Sequence, residues 1–109
     1  MKIIFDKLLP DTNFWDAYTD LWNNSQYQSS FQSPHFLQSL VLTQKVPLVV
    51  LRGYRDEKLI GATCFYNRGK EFHFLSDLTT DHNYFILHKS ITNEETKQYF
   101  KILLAEDNK

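Results

Sequence analysis

The chain has 109 residues, of which 42% are hydrophobic and 16% aromatic, enough for the core of one small domain but not of two. Its 12 basic and 13 acidic residues give a formal net charge of −1 without any block of like charge, so charge gives no reason to expect nucleic acid or an anionic membrane as a partner. A single cysteine, Cys64, and the lack of any stretch of about 18 apolar residues favour a reduced, cytoplasmic setting and no membrane span.

The first part of the chain predicts a strand followed by a helix. Residues 2–5 form a short β-branched and aromatic run that indicates the strand. In residues 11–24 apolar side chains then recur at helical spacing, after Asp11, Thr12 and Asn13, each of which can cap a helix. The apolar face of this helix is largely aromatic and consists of Phe14, Trp15, Tyr18, Leu21 and Trp22. We expect these aromatic residues to be core, whereas Tyr27 and Phe31 flank a polar loop and are expected to stay partly exposed.

The segment SSFQSPHFLQSL, residues 29–40, predicts a second helix. Ser33 is a favourable N-cap, and Pro34 suits the first helical position because its missing N–H would be unpaired there in any case. The expected buried stripe consists of Phe36, Leu37, Leu40 and Val41. His35 lies on the opposite, exposed side of the helix, and its role is open.

From Pro47 onwards the pattern changes to a period of two. The runs LVVLRGY, LIGATCFY and EFHFL are separated by the short polar connections RDEK and NRGK, which predicts a three-stranded antiparallel meander. A turn-rich loop, SDLTTDHN, precedes a fourth strand at residues 84–87. Thr92 and Glu95 then form a T-x-x-E capping box for a last helix, whose buried stripe is expected at Tyr99, Phe100, Leu103 and Leu104.

This order of elements is that of the first part of a GNAT-type acyltransferase domain. The segments FWDAYTDLWNNS, SSFQSPHFL, LVVLRGYRDEKLIGATCFY and FHFLSDLTTDHNYFIL resemble the N-terminal half of bacterial acetyltransferases of the FemAB-like and polysaccharide-biosynthesis group. The hairpin reads RDEKLIG where the group typically shows R-x-D-G-x-x-I-G, and His82 follows Asp81 where a tyrosine is usual. The resemblance implies an α+β, GNAT-like half-fold over residues 1–109, either a single domain or the N-terminal part of a two-domain protein.

The residues argue against an acetyl-CoA site of the usual kind in this chain. Such a site needs a glycine-containing loop before the helix that follows the fourth strand, because backbone N–H groups must close on the pyrophosphate. The three glycines, Gly53, Gly61 and Gly69, all lie in or between predicted strands. Glu94 and Glu95 in the first turn of the last helix would repel a diphosphate. We therefore expect no cofactor in this chain, and acetyl-CoA or an aminoacyl donor would belong to a longer parent protein.

Asp81, His82 and Tyr84, at the expected mouth of the sheet, are the candidates for a substrate groove, together with His35. A carboxylate beside an imidazole can orient or deprotonate an amine nucleophile, but a turn in which Asp81 accepts backbone hydrogen bonds is the favoured alternative. The four histidines lack the spacing of a metal site, and Cys64 in its apolar strand is expected to be a buried structural thiol. No catalytic residue and no metal ligand are predicted.

Two functions from different classes follow. The resemblance implies that the whole enzyme transfers an acyl or aminoacyl group to a cell-wall or polysaccharide precursor. This part is expected to shape the substrate groove and to be inactive alone, and enzymatic activity of this chain is left open. The alternative is a non-catalytic binding or assembly domain on the same scaffold. The partner would be a second GNAT-like domain in the first case, and in the second another chain, for example in a homodimer formed through an exposed sheet edge.

Overall fold

The computed structural model describes residues 1–7, 12–28, 30–45, 47–68, 71–75 and 85–107. Within these ranges the helices and strands are β1 (Lys2–Lys7), α1 (Thr12–Asn23), α2 (Pro34–Gln44), β2 (Leu48–Arg55), β3 (Lys58–Arg68), β4 (Glu71–Phe74), β5 (Ile86–Leu87) and α3 (Asn93–Asp107), with a short 3-10 turn at Ser30–Gln32. The predicted α+β class is confirmed. The residues that separate β1 from α1, including Asp11, and the loop at 76–84 lie outside the described ranges.

The strands form one antiparallel sheet in the order β1-β2-β3-β4. β2 and β3 are its centre, and their pairing runs from Leu48 opposite Tyr66 to Arg55 opposite Lys58. The other side of β3 is shared, because β4 pairs with its residues 65–68 and β5 pairs with Gly61 and Ala62. The predicted meander is confirmed. Of the strand expected at residues 84–87, Tyr84 lies outside the described residues, Phe85 is not part of a strand, and Ile86–Leu87 form β5 alongside β3.

Helix α2 begins as its sequence predicts and ends at a residue in the left-handed conformation. The Ser33 side chain accepts a hydrogen bond from the backbone N–H of Phe36 at 3.3 Å, and Pro34 occupies the first turn. At the other end Lys45 adopts the left-handed conformation (φ 53°), and its N–H closes the helix on the carbonyl of Val41. Leu37, Leu40 and Val41 are buried as predicted, whereas Phe36, the fourth member of the predicted stripe, is only half-buried against the same core. His35 is exposed as predicted.

Alternation along the central strands creates two separate apolar clusters, because successive side chains point to opposite faces of a sheet. The first cluster joins α1 and α2 to one face; its members include Phe14, Trp15, Tyr18, Leu21, Leu37, Leu40, Val41, Val50, Ala62 and Cys64. The second cluster joins α3 to the other face; its buried members are Val49, Leu51, Phe65, Leu87 and Tyr99. The sheet is therefore the middle layer of three.

Helix α3 approaches the sheet at a pair of glycines. Gly53 of β2 lies opposite Gly61 of β3, and the ring of Tyr99 contacts both. A Cβ atom on Gly53 would lie 3.2 Å from Cδ2 of this ring, and one on Gly61 would lie 3.1 Å from Cε2. The missing side chains thus create the space that the buried Tyr99 fills, which explains two of the three glycines without any role in a phosphate-binding loop.

Candidate functional site at the β2–β3 hairpin

Polar side chains from distant parts of the sequence meet where β2 ends and α3 begins. The Arg55 guanidinium of β2 donates from Nε to Oε2 of Glu95 in α3 at 2.7 Å and from Nη2 to Oε1 of the same carboxylate. The Nη2 group also donates to the carbonyl oxygen of Ser90 at 3.1 Å. A bidentate contact of this kind fixes both the distance and the orientation of its partners. Arg55 therefore fastens the first turn of α3 to the hairpin.

Glu95 has a second task in the same turn. Its Oε1 accepts the backbone N–H of Thr92 at 3.0 Å, while the Thr92 hydroxyl accepts the N–H of Glu95 at 3.1 Å. These reciprocal bonds confirm the predicted capping box. The Arg55 guanidinium, followed by the backbone N–H of Thr92, holds the pKa of Glu95 well below its usual range, at about 2. The carboxylate stays ionised at neutral pH and neutralises the positive end of the helix dipole.

His88 and Ser90 extend the same network. Nδ1 of His88 lies 2.8 Å from Oγ of Ser90 and accepts the backbone N–H of Ser90 at 3.0 Å. Since Nδ1 is the acceptor, we place the proton of the neutral ring on Nε2. His88 is buried, and this burial, together with nearby Lys58, lowers its pKa. We refer to Arg55, His88, Ser90 and Glu95 as the Arg55 cluster.

The backbone around His88 is held by the segment that follows α1. The N–H of His88 donates to the carbonyl of Ile60 in β3 at 2.7 Å. Gln26 donates to the carbonyl of Leu87 at 2.9 Å, and Lys89 donates to the carbonyl of Asn24 at 2.8 Å. The backbone that carries His88 is therefore hydrogen-bonded both to β3 and to the segment after α1, and these bonds fix the position of the His88 side chain.

A cavity of about 410 Å³ opens beside the Arg55 cluster, at the end of the sheet where β1 begins. It is lined by residue 1, by residues of β1 and β2 and by the turn that joins β2 to β3: Met1, Lys2, Ile4, Tyr54, Arg55, Asp56 and Glu57. A volume of this size is within the range of small-molecule sites. We call it the hairpin cavity.

Of the four residues predicted for a substrate groove, only His35 lies in the described part of the chain. Asp81, His82 and Tyr84 lie outside the described residues. His35 is exposed on α2 and has no place in the Arg55 cluster or in the lining of the hairpin cavity. The groove formed by these four residues stays a prediction.

The remaining candidates have structural roles. Cys64 is buried against the first apolar cluster, as predicted, and burial raises the pKa of its thiol, which disfavours the reactive thiolate. His73 in β4 stacks on Tyr66 and lies 3.1 Å from a carboxylate oxygen of Glu71. Among the described side chains no three His, Cys, Asp or Glu residues are grouped in a way that would hold a metal ion.

The aromatic residues divide as expected except for Trp22, which is half-buried where a core position was predicted. Trp15 and Tyr18 are buried, and the hydroxyl of Tyr18 donates to the carbonyl of Gln32 at 2.6 Å. Tyr27 and Phe31 are 57% and 38% exposed, which confirms the prediction for this pair. The ring of Phe31 meets that of Phe36 edge to face.

Sequence reasoning found one member of the Arg55 cluster and missed the contacts that assemble it. The T-x-x-E pattern identified Glu95, because capping is a local interaction. Arg55 and Glu95 are separated by 40 positions, and no local pattern links them. The spacing of His88 and Ser90, two residues apart, was the available signal for a side-chain to backbone turn of this kind.

Comparison with known proteins adds no family to this description. No protein-family model, no curated protein and no solved structure matches the chain. Within the described part of the chain, no helix combines the length and the apolar character that crossing a membrane requires.

Proposed function

We propose that this chain is a GNAT-like part of a FemAB-like or polysaccharide-biosynthesis acyltransferase that does not itself bind the acyl donor. The proposal is supported by the resemblance of its segments to that group and by an order of strands and helices that agrees with the one the resemblance implies. In this role the chain shapes the groove for a cell-wall or polysaccharide precursor and supports a second, cofactor-binding domain. Its location would be cytoplasmic, in line with its single buried thiol.

The observation that carries the proposal is the closed first turn of α3. Free backbone N–H groups at a helix start form an anion site, which is how a diphosphate is held in acyltransferases of this kind. Here the Thr92 hydroxyl takes the N–H of Glu95, and the Glu95 carboxylate, already paired with Arg55, stands in the place of an external anion. Glu94 adds a second negative charge to the same turn. A diphosphate would have to displace these bonds and approach two carboxylates.

Calorimetric titration of the protein with acetyl-CoA tests this directly. We expect no saturable heat, and no greater response in a Glu94→Gln variant, since the capping and pairing of Glu95 remain. Saturable binding at micromolar acetyl-CoA would contradict the proposal. The complementary test is the reading frame that follows Lys109, which should encode a strand and a glycine-containing loop of a second domain.

A non-catalytic binding or assembly domain is the second candidate. The observation that favours it is the position of β1, which is the outermost of the described strands on its side of the sheet. An open strand edge offers backbone groups to a second chain. Size-exclusion chromatography with light scattering distinguishes the two candidates in part, because a concentration-dependent dimer supports assembly and a strict monomer weakens it.

A further inference from the structure

The hairpin cavity is bordered by a turn whose second residue does not suit its conformation. Asp56 and Glu57 form a two-residue connection between Arg55 and Lys58, and both have positive φ, 48° and 68°. Two such residues define a type I′ turn, for which Asn-Gly is the favoured sequence because glycine has no Cβ to clash. Glutamate in the second position is disfavoured by the same contact. Local strain of this kind often accompanies a functional site.

The charges on the walls of the cavity are of both signs. Asp56 and Glu57 are exposed carboxylates at one side, and Lys2 of β1 contributes an ammonium group. Arg55 also borders the cavity, but its guanidinium is already bound to Glu95. A ligand in the cavity would therefore meet the carboxylates of Asp56 and Glu57 and the ammonium group of Lys2, a combination that suits an amine and an acid in the same molecule.

Apolar surface lies beside these charges. Lys2 lies directly opposite Tyr54 in the β1–β2 pairing, so their side chains share one face of the sheet. Ile4 follows on the same face of β1, because alternate residues of a strand point the same way. The half-buried Ile4 and the half-buried Tyr54 ring thus give the cavity an apolar wall, and an aromatic face also attracts an alkylammonium group.

We propose that the hairpin cavity binds a small zwitterion with an apolar side chain, such as a free aliphatic α-amino acid. The ligand's ammonium group pairs with Asp56 and Glu57, its carboxylate pairs with Lys2, and its side chain contacts Ile4 and Tyr54. This site is independent of the proposed function. The proposed function concerns the first turn of α3 and is tested with acetyl-CoA, whereas the cavity is tested with a different ligand.

Three matched probes test the assignment in ¹⁵N-labelled protein, observed through backbone amide shifts. Leucine carries all three features, 3-methylbutylamine lacks the carboxylate, and 4-methylpentanoate lacks the amine. We expect leucine at millimolar concentration to shift the amides of Lys2, Ile4 and Tyr54 saturably. Each incomplete probe should bind at least about fivefold more weakly, the effect of losing one contact to a charged group. No saturable shift with leucine, or equal binding of 4-methylpentanoate, would overturn the proposal.

The decisive variant improves the turn while it removes the carboxylates. The double substitution Asp56→Asn with Glu57→Gly creates the favoured Asn-Gly turn, so the Tm should rise by about 4 °C or more while the affinity for leucine falls at least about fivefold. Lost binding then cannot be attributed to unfolding. Unchanged affinity for leucine in this variant would refute the assignment.

Two further variants separate the arms of the site. Lys2→Gln should lower the affinity for leucine and leave the affinity for 3-methylbutylamine unchanged. The reason is that Lys2 pairs with the ligand's carboxylate, which 3-methylbutylamine lacks. Asp16→Asn, an exposed acidic position on α1, is the matched control and should leave both affinities unchanged. Equal weakening of leucine by Asp16→Asn would indicate a general charge effect and contradict a defined site.

Discussion

The hydroxyl of Tyr99 is enclosed between α3 and the two central strands. It donates to the carbonyl of Leu51 at 3.1 Å and lies 2.6 Å from the hydroxyl of Thr63, so we infer that Thr63 donates to it. Burial raises the pKa of this phenol, which stays neutral and able to donate. The group thus satisfies polar atoms of both strands in an otherwise apolar layer, where an unpaired polar atom is costly.

The substitution Tyr99→Phe removes this hydroxyl and leaves the Leu51 carbonyl and the Thr63 hydroxyl without it. We expect the free energy of unfolding to fall by about 1–2 kcal/mol, measured by urea denaturation. Tyr27→Phe is the matched control at an exposed tyrosine and should change the free energy by less than about 0.5 kcal/mol. Equal changes in the free energy of unfolding for the two substitutions would show that the buried hydrogen bonds of Tyr99 do not stabilise the folded protein.

Glu95 gives the protein a specific pH dependence. Its pKa is about 2 in the folded protein against an ordinary value of 4.5, chiefly because of Arg55, so the unfolded chain binds more protons between these values. The stabilisation by this carboxylate is complete above pH 4.5 and is lost as the pH falls towards 2. The difference in Tm between the wild type and Glu95→Gln should therefore shrink as the pH is lowered through this range.

Glu94→Gln is the control for that experiment. Glu94 is exposed in the same turn of α3 and has no contact with Arg55 among the hydrogen bonds and ion pairs described. The Tm of the Glu94→Gln variant should change with pH nearly as the Tm of the wild type does over the same range. A parallel course for Glu95→Gln as well would show that the Arg55 contact does not stabilise the folded protein.

At the scale of single elements, local sequence signals were sufficient. Ser33 with Pro34 and Thr92 with Glu95 marked helix starts that the structure confirms, because a cap is made by residues at most three positions apart. The strands of the meander were equally evident from their alternation. The lengths of β1 and β5 were less accurate, since pairing with a neighbour decides where a strand ends. β1 continues to Lys7 because Asp6 and Lys7 still pair with β2.

The capping box at the start of α3 predicts that the stability of the protein is sensitive to substitution of Thr92. Thr92→Ala removes the hydroxyl that accepts the N–H of Glu95, and we expect a loss of about 1 kcal/mol in the free energy of unfolding. The control is Thr43→Ala in α2, where an exposed threonine only bonds back to the carbonyl of Ser39. A loss of similar size there would mean that threonine removal, and not the cap, is measured.

At the scale of the whole molecule, the sheet couples two apolar clusters that share no helix. The positions of both tryptophans, Trp15 and Trp22, in α1 confine the fluorescence signal to one of these clusters. Adjacent residues of β2 belong to different clusters: Val50 packs with α1 and α2, whereas Leu51 lies on the face covered by α3. This arrangement allows the cooperation of the two layers to be measured.

We expect Leu51→Ala to destabilise the protein by about 2–5 kcal/mol, as large-to-small changes in a core do. Because a domain of this size unfolds as one unit, the tryptophan fluorescence and the far-ultraviolet circular dichroism should shift to the same lower urea midpoint. Leu42→Ala, at a leucine that is 74% exposed, should leave the midpoint nearly unchanged. Separate midpoints for the two signals would show that the layers unfold independently.

The three-layer arrangement, the Arg55 cluster and the hairpin cavity could not be predicted from the sequence, for one physical reason. Periodicity tells which side of a helix or strand is apolar, but not which face of the sheet each helix covers. The contact of Arg55 with Glu95 and the cavity between β1 and the hairpin both depend on that choice. The candidate groove at Asp81, His82, Tyr84 and His35 was inferred from the chemistry of these side chains and from their expected place at the mouth of the sheet, and it stays a prediction.

The opposed glycines Gly53 and Gly61 also bear on the order in which the chain folds. The β2–β3 hairpin is local and can form early, whereas Tyr99 contacts residues that are 36 and 48 positions away. If the hairpin slips by two residues, its alternation of faces survives, but Leu59 or Thr63 replaces Gly61 opposite Gly53. The side chain of Leu59 or Thr63 would then occupy the space that the Tyr99 ring fills in the native structure. We therefore expect docking of α3 to be a late step that retains only hairpins with the native register.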